Sequence, residues 1–123
     1  MSAVVPVSSR GPQAVHAVVS ISRLSAMTGV TPRALRHYED VGLIRPHRAA
    51  HGVRLFTPDQ CELASLIVSL RRCDVSLDDI RTVLVEEVSD ADRRARLRGV
   101  LQRKADELAR KLEVVTATLA RAA

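Results

Sequence analysis

Two helix starts separated by a glycine turn lie close together in the first half of the chain, and this arrangement constrains the fold more than any other feature. Ser22 can cap a first helix that ends at Gly29, because a serine hydroxyl accepts hydrogen bonds from free N–H groups and glycine tolerates the turn conformation. Thr31 and Pro32 then open a second helix, since the N–H that proline lacks has no partner at the first helical position. The sequence therefore predicts two short helices joined by a tight turn.

The second helix has one apolar and one basic face. Leu35 and Tyr38 are three residues apart, so they share a side of the helix that is predicted to pack inward. Arg33, Arg36 and His37 lie on the exposed side. A short helix with a basic exposed face that follows a tight turn is typical of a helix-turn-helix that reads the major groove of DNA.

Positive charge is concentrated in the same part of the chain. Residues 20 to 54 contain six arginines and two acidic residues, a balance of +4 out of a net charge of +5. Residues 55 to 123 contain twelve basic and twelve acidic residues. If the excess positive charge served only solubility, it would be spread along the chain. The uneven distribution therefore favours a head that binds a polyanion and a tail that contacts protein.

A basic loop, the predicted wing, follows the second helix. That helix is predicted to end at Gly42, and Gly52 allows a hairpin between two short extended segments at 43–46 and 53–56. Arg54 would project from the returning strand.

Two further capped helices follow the wing. Thr57 and Pro58 repeat the cap and proline of the second helix, and Ser76 caps a fourth helix that is predicted to end near Val88. Apolar residues recur in them at helical spacing, and these residues are Leu63, Leu66, Ile67, Leu70, Leu77, Ile80, Val83 and Leu84.

The last part of the chain has the pattern of a coiled coil. No proline occurs after Ser89, and a helix from Asp90 to about Arg121 would be roughly 48 Å long at 1.5 Å per residue. A seam of two apolar positions per heptad is narrower than the face that a globular contact usually buries, so dimerisation is favoured over packing on the same chain's head. The seam consists of Leu101, Leu108, Leu112, Val115 and Leu119, with Ala105 and Ala122 at the same spacing.

Several classes of protein are not expected. No run of eighteen apolar residues occurs, so no membrane association is predicted. Residues 1–18 contain two prolines, an arginine and a glycine before their short apolar run, which is atypical of a signal peptide and favours a disordered arm. The sequence contains no glycine-rich phosphate loop, no nucleophile elbow and no carboxylate cluster outside the coil and the helix caps, so no catalytic residue is assigned and an enzyme is not predicted.

The two cysteines do not form an obvious site. Cys61 and Cys73 would lie roughly 18 Å apart along one helix, which excludes a disulfide between them, and reduced thiols favour a cytoplasmic protein. With no Cys-x-x-Cys and no histidine at ligand spacing, neither a metal nor a cofactor is predicted. A thiol switch at Cys73 is retained as an alternative to a purely structural role.

Three segments, TGVTPRALRHYEDVGLIRP, GVRLFTPDQ and VSLDDI, resemble in that order the MerR family, the mercury-resistance regulator family of bacterial transcription factors. The resemblance covers about residues 20 to 86. It implies a mainly α fold with a winged helix-turn-helix DNA-binding domain at 19–88. It also implies a dimerisation helix at 89–123 that forms an antiparallel coiled coil with a second copy.

The resemblance also implies a function. Family members typically bind a two-fold operator as homodimers, within a promoter whose two polymerase-recognition elements are spaced too widely. They bend and untwist that DNA so that RNA polymerase can engage both elements. The expected partners are therefore double-stranded DNA, a second copy of the chain and RNA polymerase, in the cytoplasm and associated with the nucleoid.

By position, the resemblance assigns DNA contacts and core residues. The DNA contacts are Thr31, Arg33, Arg36, His37 and Tyr38 of the second helix, Arg54 of the wing and, by charge, Arg23, Arg45 and Arg48. The core residues of the head are Leu24, Met27, Val30, Leu35, Val41 and Leu43. The chain departs from the family pattern at Val53 and Phe56, where tyrosines are common, and at Asp74, where glycine is frequent.

Sensors in this family carry cysteines near the dimerisation helix or a whole additional domain. The sequence shows neither, so no small-molecule effector is expected, and control is expected through protein abundance, a partner protein or the Cys73 thiol.

Two other functions are left open. An architectural or excisionase-like DNA-bending protein would share the winged head, and a protein-interaction module could use the basic face against an acidic partner. The long coil favours the regulator, because a fixed spacing between two heads suits a two-fold operator. Salt-dependent binding to random duplex DNA would separate the interaction module from both DNA-binding functions.

Overall fold

The computed structural model describes residues 18–84 and 89–123. The described part of the chain is mostly helical with a small three-stranded sheet, which confirms the mainly α prediction. It divides into two compact units, with the division between Val68 and Ser69. Its elements, in chain order, are β1 (Val19–Ser20), α1 (Ile21–Thr28), α2 (Pro32–Asp40), β2 (His47–Arg48), a 3₁₀ turn (Ala50–Gly52), β3 (Arg54–Phe56), α3 (Pro58–Arg72), α4 (Leu77–Val83) and α5 (Asp90–Ala122).

The helix α1 begins two residues earlier than predicted. Its cap is Ser20, whose hydroxyl accepts a hydrogen bond from the Arg23 N–H at 3.2 Å, so the assignment of the cap to Ser22 was wrong. Pairing of β1 with β3 keeps the backbone extended as far as Ser20, and the helix starts directly after the strand. The predicted end is confirmed, because Gly29 closes α1 with a φ of +78°.

The helix α2 begins as predicted. The Thr31 hydroxyl accepts a hydrogen bond from the Ala34 N–H at 3.1 Å, and Pro32 occupies the first helical position. The helix ends at Asp40, and Gly42 turns the chain with a φ of +83°.

The sheet has the order β1-β3-β2, with both pairs antiparallel. The first strand of the predicted hairpin was misplaced, since the strand is His47–Arg48 and not 43–46. Pro46 has no N–H for a ladder, and the Arg45 N–H donates to Gln60 Oε1 at 2.6 Å, so the earlier segment is not free to pair. We call β2, the 3₁₀ turn and β3 together the wing.

The core of the first unit forms where the sheet meets the helices α1, α2 and α3. Leu35 and Tyr38 face inward as predicted, but Met27 is 55% exposed and does not belong to the core. Thr28 takes the inward position four residues after Leu24, and its hydroxyl donates to the Leu24 carbonyl at 2.8 Å. Val30 and Val41 are only half-buried. The fully buried side chains of this unit include Leu24, Leu35, Ile44, Phe56 and Ile67.

Serine and threonine hydroxyls also cap the remaining helices. Thr57 and Ser76 accept hydrogen bonds from the Gln60 and Asp79 N–H groups at 3.3 and 3.1 Å, as predicted. Ser89 caps α5 in the same way. The structure ends α4 at Val83, and the predicted end near Val88 lies outside the described residues.

The second unit joins α4 to the long helix α5. Ile80, Val83 and Val100 are buried, and the Arg96 guanidinium donates from Nη1 to the Thr82 carbonyl at 3.1 Å. At 33 residues, α5 confirms the predicted long helix. Within the described residues, no helix is both long and apolar enough to cross a membrane. Residues 1–17, which form all but the last residue of the predicted arm, lie outside the described part.

Candidate nucleic-acid interface

The exposed face of α2 carries three basic or titratable side chains. Arg33, Arg36 and His37 are all exposed, because burial of Leu35 and Tyr38 fixes the rotation of the helix. The Thr31 cap and Pro32 fix where the helix starts. The packing therefore presents these side chains together on the surface, in the arrangement that a groove-reading helix needs.

Two other predicted contacts on α2 have structural roles of their own. The Thr31 hydroxyl is engaged as the helix cap. The Tyr38 side chain is only 7% exposed, and its ring lies 6.4 Å from the His37 ring, centroid to centroid. Packing is thus the main role of Tyr38 in the unbound protein, and a DNA contact from Thr31 or Tyr38 stays a prediction.

Of the other predicted DNA contacts, Arg23 precedes α2 in the sequence and Arg45 follows it. Arg23 is exposed on the first turn of α1. Arg45 is exposed in the segment between α2 and the wing, where Gln60 of α3 holds its backbone N–H. Both arginines belong to the first unit, and a contact from either to DNA stays a prediction.

The two wing arginines are bound to a single carboxylate of α2. Glu39 accepts a hydrogen bond from Arg48 Nη2 at its Oε2 atom and one from Arg54 Nε at its Oε1 atom, each at 2.7 Å. Arg48 also donates from Nη1 to the Gly52 carbonyl at 3.3 Å. We call Glu39, Arg48 and Arg54 the Glu39 bridge. Sequence reasoning counted Glu39 only as one negative charge and missed its role.

The bridge lowers the pKa of Glu39 below its ordinary value of 4.5. Burial raises this pKa, but the hydrogen bonds and positive charges of Arg54 and Arg48 outweigh burial, because they stabilise the ionised carboxylate. Folding therefore favours the ionised form of the Glu39 carboxyl group.

The stabilisation from the Glu39 bridge is expected to disappear in acid. Because the pKa of Glu39 is lower in the folded than in the unfolded protein, the stabilisation is complete above the ordinary value of 4.5 and is lost as the pH falls through the folded value. Between about pH 6 and about pH 3, the wild type should lose more free energy of unfolding than Glu39→Gln. Urea unfolding across this range measures both. Parallel losses in the two proteins would show that Glu39 is not ionised and paired.

The cysteines differ in their surroundings. Cys61 is buried and its pKa is raised, first by burial and then by the negative charge of Glu62, while Cys73 is exposed just after α3. Both are free thiols. In the part of the chain that the structure describes, no group of three or more His, Cys, Asp or Glu side chains could hold a metal ion.

The predicted coiled-coil seam lies on the surface of α5. Its exposed fractions are 38% at Leu101, 42% at Leu108, 64% at Leu112, 61% at Val115 and 70% at Leu119. Large apolar side chains at this level of exposure, repeated along one helix, leave much apolar surface in contact with water.

Comparison with known proteins identifies relatives of the same kind. The family model described as MerR HTH family regulatory protein matches residues 19–87. The transcriptional regulator BrlR of Pseudomonas aeruginosa is 35% identical over 88 residues, which is 70% of this chain and 32% of BrlR. The HTH-type transcriptional regulator CueR of Vibrio cholerae is 32% identical over 99 residues, which is 80% of this chain and 71% of CueR. The chain thus spans about a third of BrlR and about seven tenths of CueR.

A solved protein–DNA complex has a similar fold. The cryo-EM structure of the EcmrR–DNA complex in EcmrR-RPo matches with a TM-score of 0.63 and 25% sequence identity, over 84% of this chain and 36% of that chain. The fold likeness covers most of the chain described above.

Proposed function

The chain belongs to the MerR family of helix-turn-helix regulatory proteins, which are DNA-binding transcriptional regulators and not enzymes, and from this premise we propose that it binds a two-fold promoter operator as a homodimer and distorts the bound DNA. The resemblance seen in the sequence is confirmed by the family model. Family membership also favours a regulator over an architectural DNA-bending protein.

The exposed face of α2 is the observation that carries this proposal. It presents Arg33, Arg36 and His37 side by side, on a helix whose start and rotation are fixed by its cap and by its buried face. Guanidinium groups suit both the phosphate backbone and guanine edges in the major groove. We assign sequence reading to these three residues, with Arg23 and Arg45 as phosphate contacts.

The exposed seam of α5 supports the homodimer. Six large apolar side chains of α5 are exposed, five of them in the seam, and the helix gains stability when a second copy covers that seam. Helix pairing of this kind would give the dimer two identical DNA-binding heads. The two heads would then match the symmetry of a two-fold operator.

RNA polymerase is proposed as a further partner at the promoter. The related EcmrR–DNA complex was solved in an assembly with the polymerase. A regulator acting on promoter DNA works in the cytoplasm, and we place this protein there.

Replacement of Arg36 tests the reading role of α2. Once an operator has been selected from random duplexes, Arg36→Ala should weaken operator binding by about 1–3 kcal/mol and relax selectivity at the base pair that it contacts. Arg121→Ala is the matched control, because it removes the same charge from an exposed position near the end of α5. Fluorescence anisotropy titrations of operator and random duplexes measure both effects.

Each result has a distinct meaning. A loss that is equal on operator and random DNA would assign Arg36 to phosphate and not to a base. Unchanged affinity in Arg36→Ala would exclude the side chain from the interface.

A further inference from the structure

Two arginines face each other directly across the wing. Arg48 of β2 and Arg54 of β3 are register partners in the antiparallel pair. Like charges at directly opposed positions of a sheet destabilise the pairing, so this arrangement needs a compensating negative group. The sheet itself supplies none at this position.

Glu39 supplies the negative group from another element. Its two oxygens each accept one hydrogen bond of 2.7 Å, so each arginine engages a different oxygen of the same carboxylate. The Glu39 side chain is 19% exposed and that of Arg54 is 24% exposed, so this contact is partly buried, whereas the Arg48 side chain is 49% exposed and its contact lies at the surface. Charge-assisted hydrogen bonds of this length are among the stronger ones in proteins, so the bridge fastens the wing to the C-terminal end of α2.

We propose that Glu39 is a specificity-determining residue, which holds Arg48 and Arg54 so that they do not bind the phosphates of random DNA. This inference rests on the proposed DNA-binding function. Phosphate contacts strengthen binding to every duplex alike, whereas base contacts strengthen binding to the operator only. A carboxylate that restrains two arginines therefore lowers binding to the wrong sequences and leaves reading by α2 intact.

The bridge also sets the wing relative to the reading helix. Arg48 contacts Glu39 and the Gly52 carbonyl at once, which joins α2, β2 and the turn of the wing. In the absence of the carboxylate, the two guanidinium groups would repel each other and would turn toward the nearest available anion. On a DNA-binding surface that anion is a phosphate.

The variant Glu39→Gln tests the proposal, with Asp40→Asn as its control. Both substitutions remove one negative charge at neighbouring positions of α2, but Asp40 is exposed and forms no ion pair among the described residues. Affinities for the operator and for a random duplex are measured against salt concentration. Glu39→Gln should bind random DNA several-fold more tightly than Asp40→Asn does. Its plot of log K against log salt should be steeper by about 1–2 per protomer, because each released arginine neutralises about one more phosphate.

The specificity ratio is the decisive quantity. It should fall several-fold in Glu39→Gln and stay near the wild-type value in Asp40→Asn. Adding Arg48→Gln and Arg54→Gln to Glu39→Gln should return the affinity for random DNA to the wild-type level or below it. Equal behaviour of Glu39→Gln and Asp40→Asn would overturn the inference, since net charge alone would then explain the change.

The two proposals fail in different ways. If the wild type shows no salt-dependent binding to any duplex, the DNA-binding function and this inference both fall. If the wild type binds duplexes and the two charge variants agree, only the inference about Glu39 falls.

A second set of variants serves if Glu39→Gln does not fold, which urea unfolding would reveal. In the otherwise unchanged protein, Arg48→Gln and Arg54→Gln should each reduce the salt slope on random DNA less than Arg23→Gln does, because Arg23 is one of the proposed phosphate contacts. The bridge already restrains the first two arginines, whereas Arg23 is exposed on α1. Equal reductions in all three variants would contradict restraint by Glu39.

Discussion

Leu112→Glu is expected to convert the proposed dimer into monomers and to abolish tight binding to a two-fold operator. Leu112 is 64% exposed on α5, so in the dimer both copies would become buried against the partner helix. Burial of a leucine side chain contributes about 1.5–3 kcal/mol, and two copies are lost in each dimer. The dissociation constant of the dimer should therefore rise by about 10²–10⁴-fold, and more if the carboxylates are desolvated.

A charge on another side of α5 provides the control. Ala117 is exposed and lies roughly 140–200° around the helix from the neighbouring seam residues, so Ala117→Glu should leave the dimer intact. Sedimentation velocity gives the oligomeric state of each variant, and operator titrations give the affinity. Because Leu112 is exposed in the single chain, the protomer itself should remain folded. A dimer of undiminished stability in Leu112→Glu would show that association uses another surface.

Phe56→Ala is expected to cost about 3–5 kcal/mol of unfolding free energy, the usual range for removing a buried aromatic side chain. Phe56 is fully buried on the central strand β3, opposite Val19 of β1. Its loss would leave a cavity beneath the sheet. Since small domains are stable by only about 5–15 kcal/mol, the variant should lose a large share of its free energy of unfolding.

Val53→Ala is the matched substitution on the same hairpin. Val53 is 49% exposed, and surface changes of this kind usually stay within about ±0.5 kcal/mol. Urea unfolding followed by circular dichroism compares the two variants with the wild type. A loss below about 1 kcal/mol in Phe56→Ala would mean that the sheet is not packed as described.

The sequence predicts the helix starts well because each cap is a local device. Thr31, Thr57 and Ser76 each bond an N–H three residues ahead, so nothing outside that turn is needed to recognise them. The sequence also predicts which face of α2 packs inward, because Leu35 and Tyr38 are three residues apart and therefore share one side of the helix. The positions of Arg33 and Arg36 on the surface follow from that rotation.

The features that sequence reasoning missed depend on partners distant in sequence. The strand β1 has only two residues and exists because β3 lies beside it, and its pairing moves the α1 cap to Ser20. The burial of Thr28 in place of Met27 depends on what packs against α1. The Glu39 bridge requires the register of β2 on β3, which brings Arg48 opposite Arg54. A strand of two residues is too short to show an alternating apolar pattern, so its register cannot be predicted from the sequence.

The sheet order β1-β3-β2 has a consequence for protein engineering. The strand that immediately precedes α1 pairs with residues 55–56, so the start of the helix-turn-helix is secured by chain that lies beyond α2 and most of the wing. A graft limited to 21–42 would carry the basic helix without β3, without the strand that positions the Ser20 cap and without Arg48 and Arg54. A segment exchanged between relatives to change DNA specificity should therefore include at least residues 19–56, because a shorter graft would carry the side chains that read DNA without the strands that orient them.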